Sequence, residues 1–562
     1  MTRLIECVPN ISEGRNSALI RQVTDQVETV EGVRLLDVDP GKATNRTVIT
    51  FAGEPEAVIE AAVRVVRKAS ELIDMSKQSG EHPRFGATDV CPLVPISGVT
   101  MEECVEYARQ LAKRLGEEVG TTVYCYENAA TKPERRNLAT VRAGEYEGLE
   151  AKLADPNWAP DFGPAKFNKK SGATAVSARG FLVAYNVNLN TTSSRRANAI
   201  AFDVREKGRI KRDGDPLTGP VVKDANGKPV WEPGALKCVK GIGWFIEEYG
   251  IAQISMNLTN ISVTPVHIAF DECCKRAAER GIRVTGSELV GLIPLNAMLD
   301  AGRHFLRKQE RSTGVSDAEL IKIAIKSMGL DELAPFDPRE KIIEYVLEGP
   351  RGGKLIDRTL EGFTHETASE SIAPGGGSVA AAVGAFGAAL GTMVANLSSH
   401  KRGWDDRWAE FSEHAEQGKR CHDELLRLID ADTDAFNRIM AAFRMSDGTD
   451  DEKRARHDAI QMATRGAIDA PFRTMEVALE SMQLIKLMAE KGLPASASDA
   501  GVGALCARSA VLGAYLNVKI NTKDLEDATA VADYVTRGQA IADQACALEQ
   551  EILNIIKTKL EG

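Results

Sequence analysis

From Leu355 onward the chain shows no clear alternation of Val, Ile and Thr, the period-two pattern of a half-buried strand, whereas the portion before it alternates strand-like and helix-like runs. The change falls at Glu348-Gly349-Pro350-Arg351-Gly352-Gly353-Lys354, whose Gly and Pro residues interrupt regular structure. One chain must therefore build two kinds of core, and at 562 residues it is too long for one. The sequence predicts an α/β (α+β) two-subdomain region followed by an all-α helical-bundle domain. The expected divisions are 1–181, 182–347, a linker at 348–354, and a helical domain at 355–562 of roughly 200 residues.

In the first part, residues 33–38, 47–52 and 122–126 read as strands, and 17–30, 54–75 and 100–116 as amphipathic helices. A β-like run at 173–189 opens a second alternation, with a helix at 194–206, strands at 252–257 and 261–267, and helices at 267–280 and 317–328. Residues 207–237, rich in Gly, Pro, Asp and Lys, read as a surface hairpin or mobile loop. In the helical part, 379–397 is uncharged and long enough to raise a membrane span. Its residues are mostly Ala and Gly, which favours a buried or interface helix.

The formal net charge of −10 argues against a general nucleic-acid binder. Ten scattered cysteines form no Cys-x-x-Cys pair and no His/Cys cluster with zinc spacing, so free thiols in a cytoplasmic protein without a metal are expected. The N-terminus lacks the apolar core of a signal peptide.

Four features could carry chemistry. His82, the only histidine before His267, lies in Gly80-Glu81-His82-Pro83-Arg84-Phe85-Gly86-Ala87-Thr88-Asp89, an irregular stretch entering a strand. An imidazole there can give and take a proton near neutral pH. Lys166, Lys169 and Lys170 make a cationic patch suited to a chain of carboxylates. Pro374-Gly375-Gly376-Gly377-Ser378 precedes a helix and can present N–H groups to an anion, with Ser378 as a possible cap. Asp430, Asp432 and Asp434 share one helix. Of these, only Asp432 falls on the series Leu425, Ile429, Phe436, Ile439, Phe443, so it should face the bundle. Asn517 and Asn521 interrupt an apolar run and could bond one another.

The stretch Glu6-Cys7-Val8-Pro9-Asn10-Ile11-Ser12-Glu13-Gly14-Arg15 resembles the opening of formiminoglutamate formiminotransferases. So do Thr44-Asn45-Arg46-Thr47-Val48, Gly80-Glu81-His82-Pro83-Arg84, Asp89-Val90-Cys91-Pro92 and Trp158-Ala159-Pro160-Asp161-Phe162-Gly163-Pro164. Ala373-Pro374-Gly375-Gly376-Gly377-Ser378-Val379-Ala380-Ala381-Ala382 and Gly513-Ala514-Tyr515-Leu516-Asn517-Val518 resemble formiminotetrahydrofolate cyclodeaminase. The order of the motifs along the whole chain is similar to the bifunctional formimidoyltransferase-cyclodeaminase family.

That resemblance implies transfer of the formimino group from N-formimino-L-glutamate to N5 of tetrahydrofolate. Cyclisation to 5,10-methenyltetrahydrofolate with release of ammonia follows, as part of histidine degradation. His82 matches the family's catalytic histidine, and the catalytic aspartate falls within 430–434. The folate-binding segment matches Gly163, Pro164, Ala165, Lys166, Phe167, Asn168, Lys169, Lys170, Ser171 and Gly172. Asp39, Asn186, Asn188, Gly376 and Ser378 are candidates for substrate binding. Tetrahydrofolate is expected as co-substrate, with a polyglutamate tail as one form. The partners expected are these small molecules and further copies of the chain, with the helical domain self-associating and no membrane span or nucleic acid. Two alternatives stay open for the helical part: a methenyltetrahydrofolate cyclohydrolase-like activity, or a purely oligomerising role.

Overall fold

The computed structural model describes residues 3–41, 45–79, 84–214, 218–348 and 354–561. The chain divides into two compact units, Met1–Met298 with Ile325–Gly349, and Leu299–Ala324 with Pro350–Gly562.

The first unit holds two sheets. Strands β1 (Leu4–Cys7), β2 (Asn10–Ile11), β3 (Val33–Gly41), β4 (Arg46–Gly53), β5 (Thr88–Ser97), β6 (Thr122–Glu127) and β7 (Ala173–Ala178) form one mixed sheet. Both β1 and β2 sit between β4 and β5, and β5, β7 and β6 run parallel. Helices Pro55–Leu72 and Met101–Arg114 cover one face, because their apolar residues recur at helical spacing and meet Ile5, Cys7, Ile49, Phe51, Cys91 and Leu93 in one core. Met101–Arg114 starts at a capping box between Thr100 and Glu103.

The second sheet is built from β8 (Val183–Leu189), β11 (Val239–Ile246), β12 (Ile251–Leu258) and β13 (Val284–Val290), all antiparallel in the order β11-β12-β8-β13. Between them β9 (Arg209–Ile210) and β10 (Trp231–Glu232) pair as a small hairpin, so the 207–237 stretch carries strand structure. The strand expected at 261–267 is absent. Pro265 caps a helix, Val266–Ala278, because its fixed φ suits a helix start and it lacks the N–H a sheet needs. The fourth strand is β11, which sequence reading did not assign. Its Gly241 and Gly243 resemble loop residues, yet a Cβ on Gly243 would lie 2.1 Å from Asn198 N on the helix Ser194–Val204 packed over it.

The second unit is a bundle of five long helices: α1 (Gly376–Ser399), α2 (Trp408–Phe443), α3 (Asp450–Lys491), α4 (Ala497–Asn521) and α5 (Ala528–Glu561). The small residues of α1 face inward. A Cβ on Gly384 would meet Ala510 and Leu425, one on Gly387 would meet Gly503 O, and one on Gly391 would meet Ile485. Of the two readings of that surface, a buried or an interface helix, the first holds for these glycines. What α1 turns outward is Phe386, Met393 and Leu397, at 55%, 37% and 44% exposure. By length and composition alone α1 and the stretch Pro494–Asp524 could each cross a membrane.

This unit also takes in residues 299–324, which the sequence reading grouped with 182–347. Gly314 lies so close to α2 that a Cβ would be 2.3 Å from Ala415 C. Ser312 Oγ donates to Asn396 Oδ1 at 2.6 Å, Asn396 Nδ2 donates to Gly314 O at 2.9 Å, and Lys419 pairs with Asp317 at 2.7 Å.

Candidate active sites

His82 lies outside the described residues, as do Gly80, Glu81 and Pro83. The residues flanking it are tied down on both sides. Asn45 Oδ1 accepts from Gly14 N at 3.0 Å while its Nδ2 donates to Ser79 O at 3.0 Å and to the Gln78 side chain. Gln78 Nε2 donates to Glu13 Oε2 at 3.1 Å. Burial pushes the Glu13 carboxyl up, but the N–H groups of Asn16 and Arg15 and the Gln78 amide outweigh it and hold the group below the usual range. From the other side Arg84 donates to Gln78 O at 2.9 Å and pairs with Glu147 at 3.0 Å. A polar cavity of about 470 Å³ opens beside this network, lined by Glu13, Arg15, Asn45, Lys77 and Gln78.

The strand that follows is bulged. Asn10 pairs with Val90 and Ile11 with Thr88, leaving Asp89 as the extra residue. Asp89 is buried, accepts from Phe85 N at 3.1 Å and pairs with Arg142 at 2.7 Å and Arg46 at 3.8 Å. Burial raises its carboxyl against the pull of both guanidiniums. The resemblance had marked Asn45-Arg46 and Asp89 only as parts of motifs, and Arg142 carried no sequence signal.

Residues 163–172 are braced against this region. Gly172 pairs with Gly86, and Ala87 N donates to Ser171 O at 2.8 Å. Gly163 sits at φ +77, where a Cβ would be 2.1 Å from Thr121 O, so only glycine fits. Thr122 Oγ1 donates to Pro164 O at 2.8 Å, and Phe167 packs on Tyr146 with centroids 5.5 Å apart. Asn168 Oδ1 turns the chain by accepting from Lys170 N and Ser171 N. The three lysines are unequal. Lys170 donates to Glu71 O at 2.6 Å, whereas Lys166 and Lys169 are exposed, as is Ala165.

Asp39 is exposed on β3 opposite Val48, on the sheet face that carries Arg46. Asn186 and Asn188 are buried on β8. Asn186 Nδ2 donates to Glu288 at 3.1 Å and Asn188 Nδ2 to Glu332 at 2.6 Å. Gln253 Nε2 joins them, donating to Asn188 Oδ1 at 2.8 Å and Glu288 at 3.2 Å. The alternation Asn186-Val187-Asn188 marked this polar face, but its partners come from β12, β13 and residue 332 and could not be read locally.

One unexpected acid is Glu6, buried on β1. Burial pushes its carboxyl up to about 7, against the pull of Arg179. The folded state thus binds this proton more tightly than the unfolded one, so its ionisation erodes stability as pH rises from about 4.5 to 7. Glu6→Gln is expected to protect the β1 amides from hydrogen exchange by up to about 3 kcal/mol more than the parent at pH 8, with the gap closing toward pH 5. A gap independent of pH would contradict this account.

In the second unit Asp432 meets the N-terminus of α1. Ser378 N donates to Asp432 Oδ2 at 2.9 Å and Ser378 Oγ lies 3.1 Å from the same oxygen. Gly377 leaves the room, since a Cβ there would be 2.1 Å from Asp432 Oδ1. Burial raises the Asp432 carboxyl, and the two Ser378 donors pull it back. Gly376 stands beside Asn517, 3.2 Å from its Nδ2 to an ideal Cβ. Asn517 and Asn521 do not bond one another: Asn517 donates to Gly513 O, and Asn521 to Ala467 O. Asp430 caps the turn Leu355–Asp357, accepting from Leu355 N at 2.7 Å, and Asp434 is exposed. The apolar series of α2 is buried only in part. Leu425 and Ile429 lie in the core, while Phe436 and Phe443 are 36% and 49% exposed. Among the described residues no group of three His, Cys, Asp or Glu is placed to hold a metal ion.

The family described as "Formiminotransferase domain, N-terminal subdomain" matches residues 4–179, "Formiminotransferase domain" matches 184–348, and "Formiminotransferase-cyclodeaminase" matches 359–540. The formimidoyltransferase-cyclodeaminase of Gallus gallus is 42% identical over 558 residues, covering 98% of this chain and 99% of that one. The chain belongs to the formimidoyltransferase-cyclodeaminase family. Within that family frame, the glutamate formimidoyltransferase of Streptococcus pyogenes serotype M1 is 40% identical over 310 residues, 55% of this chain and 95% of the relative. The methenyltetrahydrofolate cyclohydrolase of Methylorubrum extorquens is 35% identical over 204 residues, 36% of this chain and 98% of the relative.

Proposed function

We propose that the chain is a bifunctional formimidoyltransferase-cyclodeaminase acting in histidine degradation. It moves the formimino group of N-formimino-L-glutamate to N5 of tetrahydrofolate, then cyclises 5-formiminotetrahydrofolate to 5,10-methenyltetrahydrofolate and ammonia. The observation that carries this reading is end-to-end similarity to a relative bearing both activities.

In the first reaction N5 attacks the formimino carbon and sheds a proton, while the departing glutamate nitrogen gains one. His82 is assigned both transfers in turn. The ties through Asn45, Gln78 and Arg84 hold the described residues on either side of it. The segment 163–172, joined to Gly86 and Ala87, offers Lys166 and Lys169 to the folate tail, which suits a polyglutamate chain. Asp39, Asn186 and Asn188 are assigned to substrate binding, the two amides oriented by Glu288 and Glu332. In the second reaction N10 attacks the same carbon. The N10 proton passes to Asp432 and on to the amino group, which leaves as ammonia as the N10–C bond is kept and the C–NH₂ bond breaks. Burial holds the Asp432 carboxyl nearer the working pH, and Ser378 and Gly376 shape the site around it.

Similarity to a cyclohydrolase favours one second reading, hydrolysis of the methenyl ring by the helical unit. Supplying 5-formiminotetrahydrofolate and following ammonia together with methenyl absorbance decides between them. Both should rise in step; no ammonia from that compound, with absorbance lost when 5,10-methenyltetrahydrofolate is supplied instead, would establish the hydrolase. We also assign the chain to the cytoplasm as a homo-oligomer that crosses no membrane. All ten cysteines are free, and the outward row Phe386, Met393 and Leu397 suits a second copy. Sedimentation giving only monomer at micromolar concentration would refute the oligomer.

A further inference from the structure

Beyond Asp432, α2 is covered only in part, with Ala435 and Ala442 buried. Phe436 and Met440 are each 36% exposed, and across from them Ile372 is 71% exposed. Between these walls opens a cavity of about 520 Å³, lined by Ser371, Ile372 and Ala373 on one side and Phe436, Met440 and Arg444 on the other. The first wall leads through Pro374 into Gly376–Ser399, whose first turn holds Asp432. The second wall begins one helical turn after Asp432. The cavity therefore opens one helical turn beyond the carboxylate and reaches a guanidinium. Arg444 is exposed and makes no ion pair among the described residues, unlike Arg456 nearby, which pairs with Asp447 at 2.6 Å.

The spacing has a meaning. Twelve residues of helix carry the chain about 18 Å. Arg444, the residue that caps α2, lines the same cavity as Phe436 and Met440. The order along α2 and its cap is acid, aromatic ring, thioether, cation, the last three lining the cavity. A reduced folate presents, in the same order, its reacting nitrogens, an aminobenzoyl ring and a glutamyl carboxylate. The other cavity bordering Ile429, of about 440 Å³, is lined mainly by apolar side chains, and its one arginine, Arg358, is paired with Glu366 at 3.1 Å. It has no unpaired cation for a carboxylate.

We propose that the groove opening one turn beyond Asp432 and reaching Arg444 binds the folate of the second reaction, with the aminobenzoyl ring on Phe436 and Met440 and the glutamyl carboxylate on Arg444. This rests on reading Asp432 as the cyclodeaminase carboxylate.

The test uses the full chain, monoglutamyl 5-formiminotetrahydrofolate and ammonia release. Arg444→Gln is expected to raise KM about tenfold, the worth of one charge-assisted contact, with kcat unchanged. Arg444→Lys should recover most of the loss, and transfer from formiminoglutamate should be unaffected. Phe436→Ala should raise KM as well. An unchanged KM in Arg444→Gln overturns the proposal. So does a rise in KM that tracks dissociation of the oligomer in sedimentation, since a second copy would then be the occupant. Asp432→Asn run alongside separates the two readings: full activity there removes the carboxylate assignment, whereas loss of kcat there with unchanged KM in Arg444→Gln removes the folate groove alone.

Discussion

His82→Ala is expected to lower formimino transfer by about 10²–10⁴-fold while ammonia release from supplied 5-formiminotetrahydrofolate stays near the parent rate. The size follows from the work assigned to one imidazole, which takes the N5 proton and protonates the leaving glutamate nitrogen. The selectivity follows from the second carboxylate site, which is built entirely from residues of the helical unit. Measuring both activities on one preparation removes folding as an explanation, because a collapsed chain would lose both. Transfer near the parent rate in that preparation would remove His82 from the mechanism and turn attention to Asp89, whose carboxyl burial raises.

Asp432→Asn is expected to remove most ammonia release, by about 10²-fold or more, and Asp434→Asn to cost little. Two positions apart on a helix means about 200° of rotation, so the two carboxylates cannot share a face. Asp432 takes two donors from Ser378, and burial raises its carboxyl, whereas Asp434 is exposed. An asparagine can still accept from Ser378 through Oδ1, so the start of α1 keeps its partner and the bundle should fold. What is lost is the proton carrier. Asp430→Asn serves as a control, since Asp430 holds the Leu355 and Ile356 N–H groups and its change should lower stability more than rate. Equal ammonia release from Asp432→Asn and the parent would sink the argument.

The legible parts of this fold were those with strong period. The long helices of the bundle are readable because apolar residues recur over many turns, and β4 and β6 because Val, Thr and aromatic residues are dense there, whereas the run 173–189, read as one, divides into β7 of the first sheet and β8 of the second. β11 is hidden by Gly241 and Gly243, the second of which makes room for the helix Ser194–Val204, and at 261–267 Val and Thr imitate a strand where Pro265 starts a helix. Asp432 could be placed by helix phase, since phase is a local property. The Asp89 cluster could not, because a bulge sets its direction and Arg142 reaches it from 53 positions away. The same limit hid the outer half of the α2 series: phase says which residues share a face, and nothing in it says where the neighbouring helices end.

The seating of residues 299–324 in the helical unit bears on how the two enzymes fail. Two helices, Leu295–Lys308 and Asp317–Met328, begin or end in one unit and lie mostly in the other. A joint made by a slack tether would let each enzyme melt at its own temperature. Here, loosening the bundle releases Gly314 and Asp317 from α2, and with them the ends of helices rooted in the transferase. Heat that spoils ammonia release should therefore also shorten the life of the transferase, which following both activities in one heated sample would show.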